Sequence, residues 1–107
     1  MPDGLSPYYN KAVVIPQTSL AAASITSSYK IVTSIFGSGV KKLIIVSSLD
    51  GTIQLSLDGS TDFIPLIKGG TLIIDADDLP LSGAWGVYVK TIDSVTTGSV
   101  YVGALGV

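Results

Sequence analysis

KKLIIVSSLDGTIQLSLDGSTDFIPLI, residues Lys41 to Ile67, is the stretch on which the fold turns. Leu43, Ile44, Ile45 and Val46 form a short apolar run bounded by polar residues, which predicts a strand covered on both faces. Ile53, Leu55 and Leu57 then alternate with Thr52, Gln54, Ser56 and Asp58. That period of two predicts a strand with one buried face and one that is wet or meets another subunit. Between the two lies Ser48-Leu49-Asp50-Gly51. Asp-Gly is a strong short-range turn signal because both residues tolerate positive φ, so the pair reads as a hairpin. Asp58-Gly59 repeats the signal eight residues later. A slip of one residue would carry the apolar side chains to the wrong face, so the register is well specified.

The rest of the chain reads as strands added around this unit. Residues 1–11 carry two prolines and no periodicity and are assigned as an N-terminal arm, with 12–107 as a single β-sandwich domain. Tyr8 and Tyr9 serve the arm as an anchor on a neighbour or cap the domain's own core. Ala12 to Ile15 reads as a short strand ended by Pro16, and Thr18 to Ser24, with three consecutive alanines, as a helical turn. Ile25 to Phe36 is rich in Ile, Val, Thr and Tyr, which favours strand. Gly37-Ser38-Gly39 reads as a loop.

Phe63 to Ile67 contains Pro65, which cannot donate to a ladder, so it is assigned to an edge or a bulge. Thr71 to Asp75 is a further strand, followed by an acidic loop to Pro80. Trp85, Val87 and Val89 alternate with Gly86, Tyr88 and Lys90. Val100 and Val102 close the sheet with Tyr101 on the opposite side. Seven to eight short strands with turns at regular spacing predict an all-β, antiparallel sandwich or small barrel. No strand–helix alternation points to a parallel sheet.

Composition narrows the function. Hydrophobic residues make up 47% of the 107 residues and charged residues 13%, about half the usual charged share. The charged set is six Lys and eight Asp, with no His, Arg, Glu or Cys. So few charges leave a surface poor in the groups that keep monomers apart, and part of the apolar surplus is expected to be covered by other subunits. A compact monomer with a Ser/Thr/Gly surface is the alternative. The Met-Pro-Asp-Gly start lacks the basic and apolar regions of a signal peptide. No window reaches the roughly 18 apolar residues of a membrane helix, so neither export nor a membrane partner is expected. An acidic chain without Arg, with Lys41-Lys42 as its one basic pair, argues against nucleic acid.

The chemistry-bearing candidates are few. Asp75, Asp77 and Asp78 have the spacing of oxygen ligands for Ca²⁺, but the sixth and twelfth positions of such a loop are Pro80 and Gly86; a solvated turn is the plainer reading, and no metal is assigned. Asp50, Asp58 and Asp62 are considered as acid/base carboxylates, although the first two are already explained as turn residues before glycine. Without His or Cys, no activated nucleophile is legible. No catalytic residue and no cofactor is therefore assigned. Trp85, Tyr88 and Tyr101 offer a sugar-stacking platform, although Trp85 shares the parity of Val87 and Val89 and so favours the core. An exposed edge, Phe63 to Ile67 or the C-terminal strand, is available to add to a neighbouring sheet.

Three stretches carry a resemblance. They are Leu43 to Val46 with Ile53-Gln54-Leu55-Ser56-Leu57-Asp58-Gly59-Ser60-Thr61-Asp62-Phe63, then Thr71-Leu72-Ile73-Ile74-Asp75, then Tyr88-Val89-Lys90 with Thr97-Gly98-Ser99-Val100-Tyr101-Val102. In this order, over roughly residues 20 to 105, the chain resembles small virion proteins of tailed bacteriophages. It departs from them in the short acidic connection from Asp75 to Pro80. The resemblance implies a β-sandwich made in the host cytoplasm and built into the virion as a head decoration, neck or tail component. Its partners would be other copies of itself and other virion proteins. The residues assigned to such contacts are Tyr8, Tyr9, Phe63, Ile64 and Leu66. The alternative expectation is a carbohydrate- or receptor-binding module.

Overall fold

The computed structural model describes residues 13–36, 40–75 and 84–106. The arm with Tyr8 and Tyr9, the loop Gly37 to Gly39, and Asp77 to Pro80 lie outside the described residues. Eight strands follow one another: β1 (Val13–Ala21), β2 (Lys30–Phe36), β3 (Val40–Ser47), β4 (Ile53–Ser56), β5 (Asp62–Leu66), β6 (Thr71–Asp75), β7 (Ala84–Thr91) and β8 (Ser99–Gly106). They form two four-stranded sheets, β1-β8-β3-β6 and β2-β7-β4-β5. Every neighbouring pair is antiparallel. The expected β-sandwich is thus observed, and the two sheets remain separate rather than closing into a barrel.

The inward faces follow the alternation of the strands. Leu43 and Ile45 of β3 meet Val100, Val102 and Ala104 of β8 on one side of the core. Ile53 and Leu55 of β4, Leu66 of β5, and Val87 and Val89 of β7 face them from the other sheet. Each of these Val, Leu and Ile side chains stabilises the fold by about 1.5–3 kcal/mol through removal from water, and the smaller Ala104 by less.

Several local expectations change. Asp50-Gly51 is not a hairpin turn, because β3 and β4 lie in different sheets. The turn is real, but it carries the chain across the core. The hairpin is β4–β5, closed over Asp58-Gly59 with Gly59 at φ 86°. Pro16 does not end β1. The strand runs through it, and a register shift between Ile15 and Thr18 absorbs the missing donor. The three alanines divide between the end of β1 and a 3-10 turn, Ala22–Ser24. Ser56 does not lie on a wet face: it is fully buried by its own chain, pairing with Tyr88 and accepting from the Asp58 and Gly59 N–H groups. Pro65 behaves as expected, placing β5 at the edge of its sheet. The C-terminal strand β8 has no free edge, since β1 and β3 flank it.

Candidate functional site

The β3 run alternates rather than being covered on both sides by its own chain. Leu43 and Ile45 are inside, so Ile44 and Val46 point away from the core. Cross-strand register places Ile44 beside Gly103 of β8 and Ile73 of β6, and Val46 beside Tyr101 and Thr71. The next outward position, Lys42, lies beside Leu105 and Asp75, whose carboxylate is 4.0 Å from its ammonium. The outer face of the first sheet therefore presents Tyr101, Val46, Ile44, Ile73 and Leu105. Val46 is 39% exposed and Ile73 60% exposed. A side-chain carbon placed on Gly103 would meet nothing within 4 Å, so the face has a low spot between Tyr101 and Leu105.

The outer face of the second sheet has a different character. Tyr29 donates a hydrogen bond to Asp62, Lys90 lies 3.4 Å from the same carboxylate, and its ammonium sits 4.6 Å above the Tyr29 ring. Partial burial, then the hydrogen bond to Asp62, push the Tyr29 phenol up to about 12. The Tyr29 hydroxyl, followed by Lys90, holds Asp62 below the usual carboxylate range. The trio ties the approach to β2 onto the start of β5, with its polar groups turned toward one another. A phenol this reluctant to ionise is a hydrogen-bond donor and a poor base.

The other two carboxylates are equally committed to turns. Asp50 accepts from the Thr96 hydroxyl and N–H and from the Thr97 N–H, which lowers its pKa to about 2. Asp58 accepts from the Ser60 and Thr61 N–H groups and is held far below its ordinary value. All three are shifted downward, opposite to what a general acid at neutral pH requires. Because the folded Asp50 binds its proton more weakly than the unfolded chain, its contribution is complete above about pH 4. It is lost as pH falls through about 2. Asp50→Asn is expected to lower the melting temperature at pH 7. The gap between variant and native chain should then narrow between pH 4 and pH 2, as measured by thermal unfolding at each pH.

The residues expected to make partner contacts separate. Phe63 is 40% exposed on the β5 edge and Ile64 is half-buried against the core, whereas Leu66, at 4% exposed, belongs to the domain's own interior. Tyr88 and Tyr101 do not share a platform. They stand on different sheets, and the Tyr88 ring is packed by the Gly59 turn, where an added carbon would lie 3.2 Å from it. The Trp85 side chain lies outside the described residues, though its backbone pairs with Ile35. Sequence reasoning missed the outer-face group of the first sheet. The alternation of Tyr101 against Val100 and Val102, and of Ile73 within Thr71 to Asp75, was the available signal.

Among the described residues, no group of three or more acidic side chains is placed to hold a metal ion, and no helix is long and apolar enough to cross a membrane. No family model, no curated protein and no solved structure matches this chain.

Proposed function

We propose that this chain is a non-enzymatic structural subunit of a tailed-bacteriophage virion, assembling as repeated copies that pack through the outer face of the first sheet. The observation that carries the assembly reading is the apolar group Tyr101, Val46, Ile44, Ile73 and Leu105 on a face where, among the described residues, Val46 and Ile73 are exposed and the other three half-buried. Exposed apolar surface is stabilised by burial at about 25 cal/mol per Å², and repetition around a symmetry axis multiplies such contacts. The virion setting rests on the likeness of the Ile53 to Phe63, Thr71 to Asp75 and Thr97 to Val102 stretches to phage particle proteins.

Light scattering over a concentration series is expected to show a symmetric oligomer. Val46→Lys places an ammonium on that face without touching the core. It should yield smaller species whose circular dichroism is unchanged and whose urea stability per chain stays within about 0.5 kcal/mol. A native chain that is monomeric at every concentration, or a variant that assembles normally, overturns the packing face. The virion setting is tested separately: an antibody to the purified chain is expected to label intact particles from an infected culture. Labelling of free protein alone would remove that setting.

A further inference from the structure

The four sheet edges formed by the described strands are not alike. An edge strand offers unpaired N–H and C=O groups to any neighbour, and proteins blunt such edges with proline, bulges or charge. The β1 edge carries Pro16 and a register shift between Ile15 and Thr18. Along β2 the register shifts between Ile31 and Thr33. The β5 edge carries Pro65, and Phe63 is the extra residue where the β4–β5 register shifts. Only β6 has neither device: its pairing with β3 is regular from Thr71 to Asp75, without proline, and its charge sits at one end.

The β6 sequence, Thr-Leu-Ile-Ile-Asp, is also close to self-complementary. Set antiparallel to a second copy about a two-fold axis at Ile73, it places Ile73 opposite Ile73, Leu72 opposite Ile74, and Thr71 opposite Asp75. Opposed residues in an antiparallel pair share a face. Leu72 and Ile74, half-buried and packed against the core, would therefore meet their counterparts on the inner side. Ile73, 60% exposed, would meet its own image on the outer side. No carboxylate faces a carboxylate. A slip of one residue would oppose inner to outer side chains, and a slip of two would put Asp75 against Ile73.

We infer that β6 is the seam at which a second copy of this chain adds, joining two first sheets into one eight-stranded sheet across a two-fold axis at Ile73. The same operation continues the row Gly103, Ile44, Ile73 into its symmetry mate and doubles the apolar outer face. This deepens the assembly reading and rests on it.

The chain has no cysteine, so a single introduced thiol reports on the seam. Opposed residues in an antiparallel pair have Cα atoms about 4.5–5.5 Å apart, within disulfide reach. Ile73→Cys is expected to give a disulfide-linked dimer under mild oxidation. It should do so at least about tenfold faster than Thr71→Cys, whose two copies would sit four residues out of register. Ile73→Lys, which sets two ammonium groups at the axis, should halve the oligomer mass while leaving circular dichroism unchanged. If the native chain assembles but Ile73→Cys links no faster than Thr71→Cys, the seam is wrong and assembly through the outer face stands. If the native chain is monomeric and Ile73→Cys does not link, both readings fall.

Discussion

Gly98→Ala is expected to destabilise the domain by about 3–5 kcal/mol, a large part of the 5–15 kcal/mol by which small domains are usually stable. Two causes add. Gly98 has φ 91°, a conformation that costs an L-residue about 1–2 kcal/mol. Its side-chain carbon would also fall 2.1 Å from the Ser48 carbonyl oxygen and 2.9 Å from the Leu49 Cα. Both neighbours are backbone and cannot turn aside. They are pinned further, since the Ser48 N–H donates to Ser99, and Gly98 itself accepts from the Ala22 N–H. Relief would have to move the crossing between β3 and β4 away from the loop before β8. Gly69→Ala provides the control. Gly69 has φ 67°, yet an added carbon meets nothing within 4 Å, so about 1–2 kcal/mol is expected. Urea unfolding of both variants measures the difference. Equal midpoints would mean that the close approach at Ser48 relaxes freely.

Ile45→Ala should cost about 2–5 kcal/mol, the range for truncating a fully buried aliphatic side chain. Ile45 lies between Leu72 of β6 and Val102 of β8 and faces the second sheet. Its loss leaves a void bounded by three elements that are tied elsewhere by ladder bonds, so collapse into it is restricted. The adjacent Val46 makes the sharper comparison. Val46→Ala removes a side chain from the same strand one position along, but on the outer face, and should change monomer stability by about 0.5 kcal/mol or less. A similar loss at both positions, measured by chemical denaturation under monomeric conditions, would mean that the alternation along β3 is not the division between core and surface.

The sandwich was legible because its strands obey local rules. Pro65 marked an edge, Thr71 to Asp75 carried its own boundaries, and the parity of Val87, Val89, Val100 and Val102 placed them inside. Pairing was harder to read, since it is settled at long range. Asp50-Gly51 announces a turn, but nothing near it says whether the next strand returns to the same sheet or crosses to the other. Pro16 was read as a stop because the register shift that accommodates it requires β8, more than 80 residues later. The same limit applied to the candidate site. Ile44, Ile73 and Tyr101 come from three strands far apart in the chain, and only their lateral order, β8-β3-β6, makes them neighbours. The edge position of β5 was legible because Pro65 announces it locally, while the burial of Leu66 and the half-burial of Ile64 on that same strand depend on the sheet that packs against it.

The order β1-β8-β3-β6 has a consequence for synthesis on the ribosome. The first strand made, of the eight described, finds its partner in the last, and that last strand also fills the centre of the sheet. Until Ser99 to Gly106 has emerged, β1 has no ladder, and Leu43 and Ile45 lack the Val102 and Ala104 flank. All strands of the second sheet have been made once β7 is complete, but its inner face, with Ile53, Leu55, Val87 and Val89, lacks the Val100, Val102 and Ala104 side of the core until β8 follows. Outer face and β6 edge alike become ordered surfaces only when the final strand slots between β1 and β3. A chain that stops short of β8 therefore lacks the central strand on which the order of the first sheet depends.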